Sequence, residues 1–341
     1  MLKRRKLLGL LGAGAGTAVV AACAPTASAP SPAALPASVA PTRTAVAATT
    51  PVPTASPAPQ TPRPSPTPIA DPLIDNHAHP IPPAQGNQTA YYDGIVQKMN
   101  ENGVSATILH RNGEWTTGRN RFGPEHDDWV RAATERHPGR LLGYVAGFDP
   151  ASPDAPGYVR AQLQTGKWKA VGELDLRNPG PQTKIPVNSP VLNQIHKIAA
   201  EFGVPVVIHY NFDYGVASPQ VGFQELDQAL AANPQTTIVL AHNPAPDLMR
   251  VRKNLWCELS PFTPQAAQIL GNLVQLDPAL LDRIVLCVTD LQGPDLMVGA
   301  GLPAPITYAA AASAARRLLA TLTKEQADKI AYKNISRLLK L

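Results

Sequence analysis

From Pro72 onward, short apolar, β-branched runs alternate with stretches of helical periodicity. The runs at residues 73–76, 105–110, 141–148, 170–174, 205–209, 237–241, 255–259 and 283–288 predict eight strands. Amphipathic stretches at residues 90–101, 127–136, 191–202, 223–232 and 264–273 predict helices between them, and 307–320 and 324–340 predict two closing helices. Asn102-Gly103 and Phe202-Gly203 stand where a helix gives way to the next strand, the usual place for glycine. Apolar strands separated by helices imply parallel crossovers. Eight of them at spacings of about 25–40 residues match the size of a (β/α)8 TIM barrel. An open doubly wound sheet is the alternative, but no Gly-rich phosphate loop follows the first strand, which counts against a nucleotide-binding version.

Ahead of this part the texture is different. Residues 1–23 hold a basic cluster (Lys3, Arg4, Arg5, Lys6), a modest apolar run and small residues, the pattern of a signal peptide. The apolar run is too short and too rich in Gly and Ala for a membrane span. Arg4-Arg5 resembles a twin-arginine signal, and Val20-Ala21-Ala22-Cys23 resembles a lipobox in which Cys23 becomes the lipidated first residue. Residues 24–70 alternate Pro with Ala, Ser and Thr and contain 13 of the 37 prolines. Such a segment buries too little apolar surface to offset its ordering entropy, so a disordered, extended linker is expected. The predicted organisation is a signal peptide (1–23), a linker (24–70) and one barrel domain (71–341). The expected location is outside the cytoplasmic membrane, in the periplasm or cell envelope, lipid-anchored to the membrane through Cys23.

Charge follows the same division. The chain carries 30 basic and 25 acidic residues, a net charge of +5. Six of the 30 basic residues and none of the 25 acidic ones fall within residues 1–70, leaving 24 against 25, a net of −1, for the rest. The basic excess is therefore no sign of a nucleic-acid partner; a small-molecule substrate is expected instead. With only 3 Cys a disulfide scaffold is excluded, and Cys257 and Cys287 read as buried small hydrophobes, though whether they pair is left open.

Candidate chemistry lies at the strand ends. His77 and His79 are two apart on extended chain, so both point to one side. Glu173 closes the fourth predicted strand, His209 the fifth, His242 follows the sixth and Asp290 the eighth. The intervals are 96, 36, 33 and 48 residues, close to multiples of one barrel unit. In a barrel all C-terminal strand ends meet at one mouth. Four His, one Glu and one Asp there would form a divalent-metal site of one or two ions, Zn2+ or Mn2+ being suited to those donors.

Asp75-Asn76-His77-Ala78-His79, Val171-Gly172-Glu173-Leu174-Asp175, the two later histidines and Thr289-Asp290 resemble the amidohydrolase superfamily, in the chain order of its amidohydrolase-related and TatD-like branches. The C-terminal segment from Lys324 to Leu339 is similar to that family's closing helix. The resemblance implies that His77, His79 and Asp290 bind the more buried metal and that Asp290 serves as the catalytic base. It implies that His209 is a further ligand. His242 would be a ligand in a two-metal site or a catalytic acid in a one-metal site. Glu173 stands where some members use a carbamylated lysine or a bridging glutamate; Lys169 lies four residues too early for the former. Cys287-Val288-Thr289 departs from the family pattern, where Gly or Ser often precedes the Asp.

His110 and Arg111 after the second strand, Arg177 after the fourth, and Asn211 and Asn243 beside the late histidines are candidates for substrate binding. Tyr210 and Trp115 read as packing residues, and His126, His137 and His196 as solvated or local contacts. The expected activity is metal-dependent hydrolysis of an amide, lactone or ester bond. A one-metal non-oxidative decarboxylase on the same fold is the alternative, and a non-catalytic binding lipoprotein is the reading from another class.

Overall fold

A computed structural model of the chain describes residues 72–80, 87–110, 122–242, 244–292, 297–298 and 306–341. The strands are β1 (Leu73–His79), β2 (Val104–Leu109), β3 (Leu141–Val145), β4 (Ala170–Asn178), β5 (Thr183–Lys184), β6 (Val206–Tyr210), β7 (Ile238–Leu240), β8 (Leu255–Leu259), β9 (Ile284–Leu286), β10 (Leu291–Gln292) and β11 (Met297–Val298). The α-helices are α1 (Gln88–Glu101), α2 (Pro124–Arg136), α3 (Ala155–Gln164), α4 (Pro190–Phe202), α5 (Pro219–Ala232), α6 (Pro246–Val251), α7 (Ala266–Leu276), α8 (Tyr308–Leu319), α9 (Lys324–Asp328) and α10 (Asn334–Leu339). Eight strands, β1–β4 and β6–β9, pair in parallel with their sequence neighbours and alternate with helices, giving a nearly closed TIM barrel. β5 pairs antiparallel with β4, and β10 pairs in parallel with β1. Among the described residues no helix is long and apolar enough to cross a membrane.

Many prolines of the barrel have a local reason. α2, α3, α4, α5 and α6 each carry Pro in the first helical positions, where the missing N–H would lack an intrahelical partner anyway. Gly203 closes α4 in the left-handed conformation at φ 63°, as expected of a glycine at that boundary. Cys257 and Cys287 are buried and free.

Two apolar layers hold the fold. Leu73, Leu109, Val171, Ile208, Leu240 and Ile284 face the helices. Ile74, Ile108, Tyr144, Val207, Val239 and Val285 fill the barrel interior, where Ile335 and Leu339 of α10 join them. Strand alternation then sets what comes next: two residues beyond Ile108 and Val207 stand His110 and His209, on the same inward face.

β4 needs an extra step to achieve this. Val171, Leu174 and Leu176 pack toward the helices, so the alternation changes phase between 171 and 174. The β4–β6 register shifts at that point. Gly172 sits in the shift at φ 118°, and a Cβ there would run into the carbonyl of Val207. Only glycine suits the position, and the re-phasing turns Glu173 and Asp175 inward. β4 also runs longer than its apolar stretch suggests, because Asp175, Arg177 and Asn178 are buried with partners.

Asp75 bridges the seam between β9 and β1. Its fully buried carboxylate accepts the backbone N–H of Val288 at 2.8 Å and of Thr289 at 3.3 Å, and the Thr289 hydroxyl at 2.5 Å. Desolvation pushes the Asp75 carboxyl up to about 6 despite these donors.

Candidate metal centre

The mouth of the barrel is built around Glu173. One of its oxygens, Oε2, lies 3.0 Å from His79 Nε2 and 3.4 Å from His77 Nε2, which are themselves 2.9 Å apart. The other oxygen, Oε1, lies 3.2 Å from His209 Nδ1 and 3.6 Å from His242 Nε2. A single carboxylate thus divides its two oxygens between two histidine pairs. Asp290 borders the first pair, with Oδ1 3.9 Å from His79 Nε2 and 4.0 Å from His77 Nε2. The structure therefore brings His77, His79, Glu173, His209, His242 and Asp290 to one place.

The residues fit a divalent cation. Glu173 Oε2 is buried and takes no hydrogen bond of ordinary geometry. Donor atoms bound at about 2.0–2.2 Å around a tetrahedral ion stand roughly 3.3–3.6 Å apart, and the spacings at Glu173 are of that order. Three overlapping donor sets occur among the described residues: His77, His79, His110 and Glu173; Glu173, His209 and His242; and His77, His242 and Glu258. The electrostatics agree. Burial opposes a charge on His77, but Glu258 and Glu173 outweigh it and hold the imidazole well above its ordinary range. Burial likewise opposes ionisation of Glu173, but His77, His209 and His242 outweigh it and hold the carboxyl well below its range. A pocket that favours a proton on a buried imidazole also favours a cation.

Glu258 was not among the residues singled out from sequence. It lies fully buried within β8, two residues after Trp256, which packs on the interior layer. Its Oε2 stands 2.9 Å from His77 Nδ1, and its Oε1 accepts from Asn76 Nδ2 at 2.5 Å. The Asn76 carbonyl oxygen in turn accepts from the Tyr144 hydroxyl at 2.5 Å. A carboxylate behind a metal-facing imidazole sets its tautomer and orientation. The register shift in the β1–β2 pairing after Asp75 allows the adjacent Asn76 and His77 both to reach Glu258. A carboxylate inside the apolar segment Leu255-Trp256-Cys257-Glu258-Leu259 was the available signal. Ser260, also unanticipated, lies 3.1 Å from His242 Nδ1.

Two site residues hold left-handed backbone conformations, His242 at φ 60° and Asp290 at φ 43°. Such conformations cost energy in non-glycine residues and persist where surrounding contacts impose them. For Asp290 those contacts are visible, because Asp75 grips the two residues before it.

Of the substrate-binding candidates, Arg177 is already engaged. Its guanidinium forms a part-buried bidentate pair with Glu225 at 2.8 and 2.9 Å, donates to the Tyr210 hydroxyl at 2.9 Å and donates to the carbonyls of Tyr214 and Gly215. It fastens α5 and the loop after β6 to β4. Asn211 is half-buried after β6, its N–H on the Arg177 carbonyl at 2.8 Å. His110 is fully buried against His77 and His79, with ring centroids 4.4 and 4.1 Å away. Burial, then His79 and His77, hold it well below its ordinary range. Arg111, Asn243, Trp115, Cys23 and the signal and linker segments lie outside the described residues. His126 and His196 are buried rather than solvated; His196 Nε2 contacts the Val187 carbonyl at 3.3 Å, and burial lowers it to about 4. His137 contacts Asp93 at 2.7 Å.

Fold and site together define a TIM-barrel protein with a histidine–carboxylate cluster able to bind a divalent metal at the C-terminal mouth. The chain belongs to the amidohydrolase family, whose model matches residues 74–341. No curated protein matches it in sequence. Solved structures share the fold at low identity. A probable 2-pyrone-4,6-dicarboxylic acid hydrolase from Acinetobacter baumannii, with citric acid bound, is 17% identical, with TM-score 0.52 over 79% of this chain and 99% of that one. A 2,6-dihydroxybenzoate decarboxylase from Rhizobium is 15% identical, with TM-score 0.54 over 79% and 98%. A dihydroxybenzoic acid decarboxylase from Polaromonas, with bound manganese and the inhibitor 2-nitroresorcinol, is 14% identical, with TM-score 0.54 over 79% and 97%.

Proposed function

We propose that the protein is a metal-dependent hydrolase that cleaves an amide, lactone or ester bond of a small molecule, and that Glu173 would serve two ions, one through each oxygen. The division of the Glu173 oxygens between His77/His79 and His209/His242 carries this reading. His77 and His79 would hold one ion and His209 and His242 the other. Zn2+ or Mn2+ suits these imidazole and carboxylate donors. A bound divalent ion supplies an activated water near neutral pH and polarises the bond under attack. Asp290, at the edge of the first histidine pair, is placed to take a proton from such a water and would return it to the leaving group. Glu258 and Ser260 orient His77 and His242.

The decarboxylases among the structural neighbours keep a second reading in view, in which one ion is bound and His242 donates a proton to carbon. The test is a screen of metal-loaded protein on lactones, amides and esters, run beside aromatic carboxylates with detection of released CO2. Hydrolysis without CO2 release is expected. CO2 release, with every hydrolytic substrate untouched, would overturn the proposal.

We also propose that the chain is exported and lipid-anchored at Cys23, which the basic cluster, apolar run and Val20-Ala21-Ala22-Cys23 support. Cys23→Ser is expected to shift the protein from the membrane fraction to the soluble one; unchanged fractionation would contradict the anchor.

A further inference from the structure

The imidazole of His110 is a buried group with no assigned work. Period-two alternation along β2 carries Ala106 and Ile108 into the barrel interior and places His110 on the same face, one step nearer the mouth. There it sits edge-on to both His77 and His79, at interplanar angles of 89° and 76°. The other histidines of the mouth each have a polar neighbour: Glu258 for His77, Glu173 for His79 and His209, Ser260 for His242. Neither ring nitrogen of His110 has a hydrogen-bond partner among the described residues, and the side chain is fully buried. Buried polar atoms left unpaired call for an explanation such as an ion. One is at hand, since donor atoms of His77, His79, His110 and Glu173 all lie within 4.8 Å of one another.

We propose that His110 is a direct ligand of the ion held by His77, His79 and Glu173. This rests on the metal-dependent reading above and deepens it. His77, His79, His110 and Glu173 would then offer that ion three imidazole nitrogens and one carboxylate oxygen, all from the protein. Four protein ligands are the pattern of a closed, tightly held site, whereas a site of three keeps a position open for water or substrate. The two donor sets therefore differ in kind. Glu173, His209 and His242 would offer only three donors and leave a position open for water or substrate. Asp290 is left free for proton transfer.

The test uses Zn2+ and Co2+ as probes on the wild-type protein, His110→Phe, which fills the space without a donor, and His110→Gln, which keeps a donor oxygen. Ions per chain are counted after dialysis against a chelator, the Co2+ spectrum is recorded, and melting is followed with and without metal. Wild type is expected to keep one ion that resists the chelator. His110→Phe should lose it, with affinity falling more than about 100-fold, beyond the range typical of an orienting residue. His110→Gln should fall between. The metal-free His110→Phe protein should melt no lower than metal-free wild type, because it buries no unpaired nitrogen. A changed Co2+ spectrum in His110→Gln supports ligation even if His110→Phe does not fold. Wild-type affinity and an unchanged spectrum in His110→Gln would overturn the assignment while leaving the metal centre standing. A wild-type protein that binds no ion would remove both.

Discussion

Replacing Glu258 by Gln tests how far the buried carboxylate behind His77 governs the metal. Glu258 and His77 are both fully buried and their facing atoms are 2.9 Å apart, so solvent does not screen the pair. Gln keeps the shape. Its carbonyl oxygen can still face His77 Nδ1, and its amide can donate to Asn76 once the Asn76 amide turns over; the Tyr144 hydroxyl can then accept from Asn76. What is lost is the charge. A hydrogen bond to a charged group contributes about 1.5–3 kcal/mol and a neutral one about 0.5–1.5, so the difference is about 1–1.5 kcal/mol. Since about 1.4 kcal/mol is tenfold in affinity, Glu258→Gln should weaken Zn2+ binding roughly tenfold. Glu258→Ala also removes the acceptor and should cost up to about 100-fold. It leaves Asn76 Nδ2 unpaired, which should lower metal-free stability by about 1–3 kcal/mol. The assay is competition with a chromophoric chelator at fixed pH, with urea unfolding of the metal-free proteins alongside. A Glu258→Gln affinity within twofold of wild type, or equal effects of Gln and Ala, would refute the orienting role.

Other perturbations act at a distance from the ion. Asp127, whose carboxylate accepts from the N–H groups of Ala146 and Gly147 and the Tyr158 hydroxyl, is pushed by burial from 3.8 up to about 6. A carboxyl raised on folding contributes stability that is present below its unfolded value and lost as pH rises through the folded one. Because each pH unit between the unfolded and folded values is worth about 1.36 kcal/mol, Asp127→Asn should gain about 2.5 kcal/mol relative to wild type between pH 4 and pH 8 by urea unfolding; a difference that stays constant with pH contradicts this. Thr289→Val deletes the hydroxyl donated to Asp75 across the seam and should cost about 1.5–3 kcal/mol in the same assay; no loss would mean the seam is held otherwise. Arg177→Ala removes both charge-assisted hydrogen bonds to the part-buried Glu225 carboxylate, leaving it the Tyr210 hydroxyl, and should cost about 3 kcal/mol. That corresponds to a drop in Tm of roughly 6–12 °C; a drop under 2 °C would free Arg177 for another role.

The eight barrel strands were legible from apolar runs alone, because strands covered by helices on one side and a packed interior on the other are apolar throughout. The strand-end histidines and carboxylates were legible for the same reason, as abrupt polar residues after such runs. Elements carried by partners rather than by pattern were not. α3 begins Ala155-Pro156-Gly157, which reads as a loop although Pro suits a first helical turn. The far half of β4 holds Asp175, Arg177 and Asn178, polar residues buried by pairings that sequence does not display. Glu258 was hidden differently. It sits inside a strand rather than at its end, and its partner Asn76 is 182 positions away. His110 was visible at the end of its strand, but that its ring nitrogens lack a hydrogen-bond partner among the described residues belongs to three dimensions.

If Glu173 joins two ions, a metal count on the intact protein must find both. Elemental analysis of protein purified without chelators, paired with anomalous diffraction at the metal edge, should show two divalent ions per chain, one on each side of Glu173. A single ion bound by His77, His79 and their neighbours, with the Glu173 oxygen nearest His209 and His242 free of metal, would contradict it.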